Sequence, residues 1–173
     1  LVLTTNSGIL IKTGYTFSGW NTLAGGTGAD YAEGANYTDN VGITLFAKWT
    51  ANTYTVTFDA NGSTGGAVPA NQTKTHDVTL VLATNSGTLV KTGYTFSGWN
   101  TLANGTGTDY AAGANYTDNV GVTLFAKWTI NTYTVTFDAN GSTGGTKPAD
   151  QTKTHDVTLV LATNSGTLVK TGY

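Results

Sequence analysis

Tyr54-Thr55-Val56-Thr57-Phe58 alternates large apolar residues with threonine. A period of two is the pattern of a half-buried strand, with Tyr54, Val56 and Phe58 on the inner face. Asp59-Ala60-Asn61-Gly62-Ser63-Thr64-Gly65-Gly66 follows at once and reads as a long turn. Further along, Val122-Thr123-Leu124-Phe125-Ala126-Lys127-Trp128 is the clearest strand of the chain. Val122, Leu124, Ala126 and Trp128 share one of its faces.

These segments recur. Gly14-Tyr15-Thr16-Phe17-Ser18-Gly19-Trp20 returns 79 residues later as Gly93-Tyr94-Thr95-Phe96-Ser97-Gly98-Trp99. Residues 1–94 and 80–173 differ at 11 positions. So long a period, carrying one set of strand signals, marks a tandem array of small domains. Periodicity leaves the phase open, since a repeat from Leu80 to Thr158 is as periodic as a complete repeat from Ala51 to Thr129. A unit of this length buries a core without covalent staples.

Between the two strands of the complete repeat, several weaker signals follow. Val78 to Thr84 reads as a strand with Val78, Leu80 and Leu82 on one face. Asn85-Ser86-Gly87 reads as a turn, and Thr88-Leu89-Val90 as a short strand or the approach to one. Gly98 interrupts the Tyr94 strand and marks a bulge or a tight approach of another backbone. Leu102 to Gly107 is loop. Asp109 to Tyr116 carries several alanines and admits a short helix, broken by Gly113. Nothing supports a long helix, since no segment is apolar at i, i+3, i+4 and i+7 over three turns. The joints between repeats, Thr50-Ala51-Asn52-Thr53 and Thr129-Ile130-Asn131-Thr132, are too short for floppy linkers.

Composition narrows the function. The chain has no cysteine, which removes disulfides, thiolate nucleophiles and Cys-based zinc sites. Only 10% of residues are charged, the net charge is −2, and all eight cations are lysine. Without arginine or a basic stripe, nucleic acid is excluded as a partner. Polarity comes from threonine, glycine and asparagine, an extracellular style of surface. No stretch approaches the roughly 18 apolar residues of a membrane helix. No signal peptide is visible and Leu1-Val2-Leu3 lies in mid-repeat. The expectation is therefore a fragment whose targeting signals lie elsewhere.

Three motifs in order, Tyr54 to Gly62, Gly93 to Thr101 and Thr123 to Trp128, resemble the Listeria–Bacteroides repeat, the B-repeat type of internalin B. The resemblance spans the whole period, and it favours a division into a partial repeat at 1–50, a complete repeat at 51–129 and a second partial repeat at 130–173. It implies an α+β, strand-dominated unit, β-grasp-like in the manner of ubiquitin, with at most one short helix. It implies large bacterial cell-surface proteins, often adhesins, in which the repeat is a stalk or spacer. It brings no catalytic, cofactor-binding or metal-binding residues. In a β-grasp unit the first and last strands run side by side, so an array with short joints would extend by roughly 30 Å per repeat.

The residues themselves offer few chemical sites. Asp59-Ala60-Asn61-Gly62-Ser63 has its glycine at the wrong position for a calcium loop, and Ala70 stands where a bidentate Glu is needed. An Asx turn is the better reading. His76 and His155 occur once per period, each before an Asp, and read as surface or turn histidines. Lys127 reads as solvent-facing rather than as half of an isopeptide cross-link. Gly105-Thr106-Gly107 lacks a P-loop lysine. Trp99, Tyr110 and Tyr116 form a candidate ligand surface for stacking on sugar rings, with core packing as the alternative for the tryptophan.

The main expectation is a non-catalytic structural repeat, rod-like, at the cell surface. The alternative is a multivalent glycan- or host-protein-binding module acting through avidity. Expected partners are neighbouring repeats, with no membrane insertion of this segment. Residues 159–173 repeat 1–15, so the partial repeats at either end could complement each other between chains, head to tail, into a filament.

Overall fold

The computed structural model describes Leu1–Gly172; Tyr173, the last residue of the second partial repeat, lies outside the described residues. The secondary structure of the described residues is entirely β. The strands are β1 (Tyr15–Asn21), β2 (Asp30–Tyr31), β3 (Phe46–Ala51), β4 (Thr53–Asp59), β5 (Gln72–Thr75) and β6 (Leu80–Val81). They continue with β7 (Tyr94–Asn100), β8 (Asp109–Tyr110), β9 (Asn115–Tyr116), β10 (Val122–Ile130), β11 (Thr132–Val135) and β12 (Gln151–Thr154).

The α+β, β-grasp-like expectation is overturned, because no helix occurs among the described residues. The segment from Asp109 to Tyr116, expected to hold the short helix, is two strands joined by a turn. β8 pairs with β7, and β9 pairs with β6. Gly113 turns the chain between them at φ +78°, a conformation that ends a helix and suits glycine. Two sets of ladder hydrogen bonds outweigh the modest helix propensity of Ala111 and Ala112.

The sheets have the orders β2-β1-β3, β5-β4-β10-β7-β8, β11-β12 and β6-β9. The first repeats the β8-β7-β10 part of the five-stranded sheet, and β11-β12 repeats β4-β5. Thr57 Oγ1 donates to Thr123 Oγ1 at 2.9 Å, and Gly121 lies against Thr55. The register advances the same way on both strands, so β4 and β10 are parallel neighbours. A parallel pair requires a long crossover. Here that crossover contains strands and turns only.

The expected bulge is present. β7 and β10 shift register between Lys127 and Trp128, opposite Gly98. Gly98 has φ +129°, and a Cβ there would stand 2.6 Å from the Tyr110 carbonyl oxygen. Both readings of that glycine, a bulge and a close backbone approach, are thus met at once. The expected strand from Val78 to Thr84 shrinks to Leu80–Val81, and Val78 is 57% exposed. Asp77 is left-handed at φ +57°, and Val78 N–H closes a turn onto the Thr75 carbonyl, so the strand starts late.

The chain forms two compact units. One comprises Leu1–Thr57, Ala70–Leu82 and Gly113–Thr123. Its buried side chains include Leu3, Tyr37, Val56, Leu82, Tyr116 and Lys74. The other comprises Phe58–Pro69, Ala83–Ala112 and Leu124 onward. It buries Phe58, Leu89, Trp99, Leu124 and Ala126, with the Phe58 and Trp99 rings 4.7 Å apart. Each unit contains one repeat joint whole, together with the residues on both sides of it.

Candidate functional site: the joint between repeats

Strand structure runs almost unbroken through each joint. β3 ends at Ala51 and β4 begins at Thr53, leaving Asn52 alone between them. β10 and β11 leave only Asn131. The four-residue joints expected from sequence are therefore single residues between strands.

Asn52 is bonded on every side. Its N–H donates to the Gly14 carbonyl at 2.9 Å, on the preceding repeat. Its carbonyl accepts from His76 N–H at 2.9 Å, on the following repeat. Its side-chain Oδ1 accepts from Thr16 Oγ1 at 2.8 Å. The second joint reproduces this set. Asn131 N–H donates to Gly93 O at 2.8 Å, His155 N–H donates to Asn131 O at 3.0 Å, and Thr95 Oγ1 donates to Asn131 Oδ1 at 2.7 Å.

A histidine closes each joint. Lys12 to Tyr15 is a turn closed by Tyr15 N–H on Lys12 O at 3.0 Å, with Gly14 at φ +76°. The His76 ring lies directly over Gly14, where a Cβ would fall 1.8 Å from Nε2. The ring meets Tyr15 edge-on at 5.4 Å between centroids, and Nδ1 is 3.1 Å from the Tyr54 hydroxyl. Lys12 Nζ stands 4.0 Å from the Tyr15 ring centre, a cation–π contact. His155 packs on Gly93 and Tyr94 in the same way, with ring centroids 6.3 Å apart. Of the two sequence readings, surface or turn, His76 and His155 meet the second: both lie in turns, partly buried, and are contact residues of the joint. The His76 side chain is only 11% exposed.

Sequence reasoning had the joint in view but missed these contacts. The spacing of Gly14, Asn52 and His76 recurs as Gly93, Asn131 and His155. In near-identical copies every spacing recurs, so recurrence singles out nothing. The usable signal was glycine before tyrosine in a turn, facing a lone histidine of the next repeat.

The candidate stacking residues fall in different environments. Trp99 is fully buried, its Nε1 donating to Ala83 O at 2.9 Å. Tyr116 is also buried, its hydroxyl donating to Val120 O at 3.1 Å. Neither offers a ring face to a sugar, which corrects their placement on a ligand surface. The small unit needs their bulk in its core. Tyr110 is half-buried on β8, opposite Trp99. Asp59 accepts Asn61 N–H at 2.7 Å in an Asx turn. Asn61 Nδ2 in turn donates to Ala103 O and Ala126 O.

Lys127 pairs with Asp109, and Lys48 with Asp30. In each case the lysine ammonium, then the amide of Asn100 or Asn21, holds the carboxyl below the usual carboxylate range, against some loss of hydration. A shallow groove recurs beside these pairs. Lys91, Tyr94, Asn104, Lys127 and Trp128 line one of 280 Å³, and Lys12, Gly25, Lys48 and Trp49 line its counterpart of 300 Å³.

Comparison with known proteins agrees with the periodicity. The Listeria-Bacteroides repeat domain matches residues 3–48, 54–127 and 133–173. A protein of Evansella cellulosilytica named "Putative Gly-rich membrane protein" is 40% identical over 82% of this chain and 17% of its own length. "Internalin H" of Listeria monocytogenes is 37% identical over 69% of this chain and 20% of its own length. The chain thus spans about a fifth of the curated relatives it matches. No solved structure matches it. With the family pattern matching three times along nearly the whole sequence, the chain belongs to the Listeria-Bacteroides repeat family.

Proposed function

We propose that this chain is a non-catalytic structural segment of a bacterial cell-surface protein, a rod-like spacer or adhesin stalk built from the repeats at 1–50, 51–129 and 130–173. One observation carries the reading. Asn52 with His76, and again Asn131 with His155, tie each repeat to the next through backbone, side-chain and ring contacts. A hinge would leave such groups to water, and a spacer that must hold a distance needs them paired. The match to a family represented in internalin H supports a surface location. Small-angle scattering on chains of increasing copy number tests the proposal. The maximum dimension is expected to grow linearly with copy number; growth as the square root, the behaviour of a flexible string, refutes it.

A second reading rests on the recurring groove, in which two lysines and a tryptophan are common to both copies. Presented once per repeat, it would suit weak multivalent binding of a surface glycan or host protein. A glycan array probed with this chain and with a longer array separates the two readings. Binding that rises steeply with copy number favours the module, and no binding by either leaves the spacer.

A further inference from the structure

Lys74 is the one fully buried lysine among the described residues, at 0% exposure. It has no ion-pair partner among them. A buried ammonium without a carboxylate is an expensive arrangement, so this side chain calls for an explanation beyond packing. Its Nζ donates to Thr75 O at 2.7 Å and to Asn119 Oδ1 at 2.9 Å. Nζ is therefore held next to an oxygen that is one bond from the Asn119 amide carbon.

Asp77 completes the group. Its backbone N–H donates to the same Asn119 Oδ1 at 2.9 Å. Its carboxylate Oδ1 accepts from Asn119 Nδ2 at 2.8 Å. Both contacts depend on the left-handed backbone of Asp77, φ +57°, which is uncommon for a residue with a side chain. An amine, an amide carbon, an N–H donor on the amide oxygen and a carboxyl on the amide nitrogen are thus assembled in one place. That is the set of parts for acyl transfer from nitrogen to nitrogen.

We propose that Lys74 and Asn119 form an intramolecular isopeptide bond with Asp77 as the catalytic residue. Nζ gives up one ammonium proton to solvent and attacks Cγ of Asn119, and the negative charge that develops on Oδ1 is met by Asp77 N–H. Through its carboxyl, Asp77 relays a proton from Nζ to Nδ2. The Cγ–Nδ2 bond breaks, and one ammonia leaves as the Nζ–Cγ amide forms. Asp77 ends in its starting state, and no oxidant or co-reactant is consumed. Its carboxylate is 66% exposed, which opens a route for ammonia to solvent. The bond would tie β5 to the segment after β9, across 45 positions of sequence. It is distinct from Lys127, whose ammonium is engaged by Asp109.

The equivalent lysine, Lys153, and the equivalent asparagine, Asn40, each lack the other half within these 173 residues. One bond per chain is therefore the expectation. Intact-mass measurement of the full chain after prolonged incubation should give about 17 Da less than the sequence mass, one ammonia. Tryptic digestion should give a single cross-linked species joining the peptides that carry Lys74 and Asn119. Lys74→Met, which keeps the buried stem, should show the full sequence mass with an unchanged β circular-dichroism spectrum. Asn119→Asp should lose water instead and converge on the same product mass as the parent chain. Asp77→Ala should lose the deficit while remaining folded. The full sequence mass in the parent chain overturns the proposal. So does a deficit without the cross-linked peptide, which would mark succinimide formation at an Asn-Gly pair. An undiminished deficit in Asp77→Ala overturns the part given to Asp77.

Discussion

Replacing Gly14 by alanine tests whether the joint is held by the fit of His76 onto a bare backbone. Two costs are separable. At φ +76° an L-residue occupies the left-handed region, which costs roughly 1–2 kcal/mol. The new Cβ would also sit 1.8 Å from His76 Nε2, far inside any real contact, so the ring has to leave. Leaving forfeits the hydrogen bond with the Tyr54 hydroxyl, about 0.5–1.5 kcal/mol. It also forfeits the edge-on contact with Tyr15, about 0.5–1.5 kcal/mol. The loss of glycine freedom in the unfolded chain returns about 0.4–1 kcal/mol. The expected net destabilisation is about 1–4.6 kcal/mol. Equilibrium urea unfolding of the full chain measures it, and hydrogen exchange at the Asn52 and His76 amides locates it. A double-mutant cycle with His76→Ala isolates the steric part. In the His76→Ala background, Gly14→Ala should cost only the backbone strain, about 1–2 kcal/mol before the glycine offset. Equal costs in both backgrounds would refute the packing account, because a clash with His76 cannot persist once the ring is gone.

Three further outcomes follow from other contacts. Asn131→Ala removes the acceptor for the Thr95 hydroxyl and should lower stability by about 1 kcal/mol, read from the urea midpoint. Gly98→Ala places a Cβ 2.6 Å from the Tyr110 carbonyl in a positive-φ position. It should cost about 3 kcal/mol or more and loosen β8 from β7, seen as lost amide protection at Tyr110. The carboxyls of Asp30 and Asp109 are held below their ordinary range in the folded state, so their contribution is present above the ordinary value near pH 4 and disappears as pH falls through the folded one. Unfolding midpoints should therefore drop on acidification below about pH 5, and Asp30→Asn with Asp109→Asn should flatten that drop.

Much of the fold was legible locally. The alternation in Tyr54 to Phe58 and Val122 to Trp128 predicts strands that are present as β4 and β10. Gly98 marked a bulge because a missing side chain in a strand needs a reason, and the reason is the Tyr110 carbonyl. The alanines after Asp109 misled, since propensity is a weak prior against two available strand partners. Of the candidate site, the sequence allows Trp99 in either core or ligand surface, and burial decides for core. Nothing in the sequence singles out Lys74, because a lysine in Gln72-Thr73-Lys74-Thr75 gives no sign of which face is covered.

Comparison of the copies separates the two levels of determination. The same local sequence makes the same hairpins wherever it occurs: β1 pairs with β2 and β3 as β7 pairs with β8 and β10. Turns, positive-φ positions and strand pairing at close range are thus written in the sequence, because they depend on neighbours along the chain. Burial is not. Trp20 and Lys153 are partly exposed, whereas their equivalents Trp99 and Lys74 are completely enclosed. β11 stops at Val135, while its equivalent β4 continues to Asp59 beside β10. Whether a side chain meets water or a neighbour depends on segments 40 and more residues away, such as Asn119 against Lys74. Only the assembled tertiary structure supplies those segments, and so it alone decides which threads of the repeat become core, joint or chemistry.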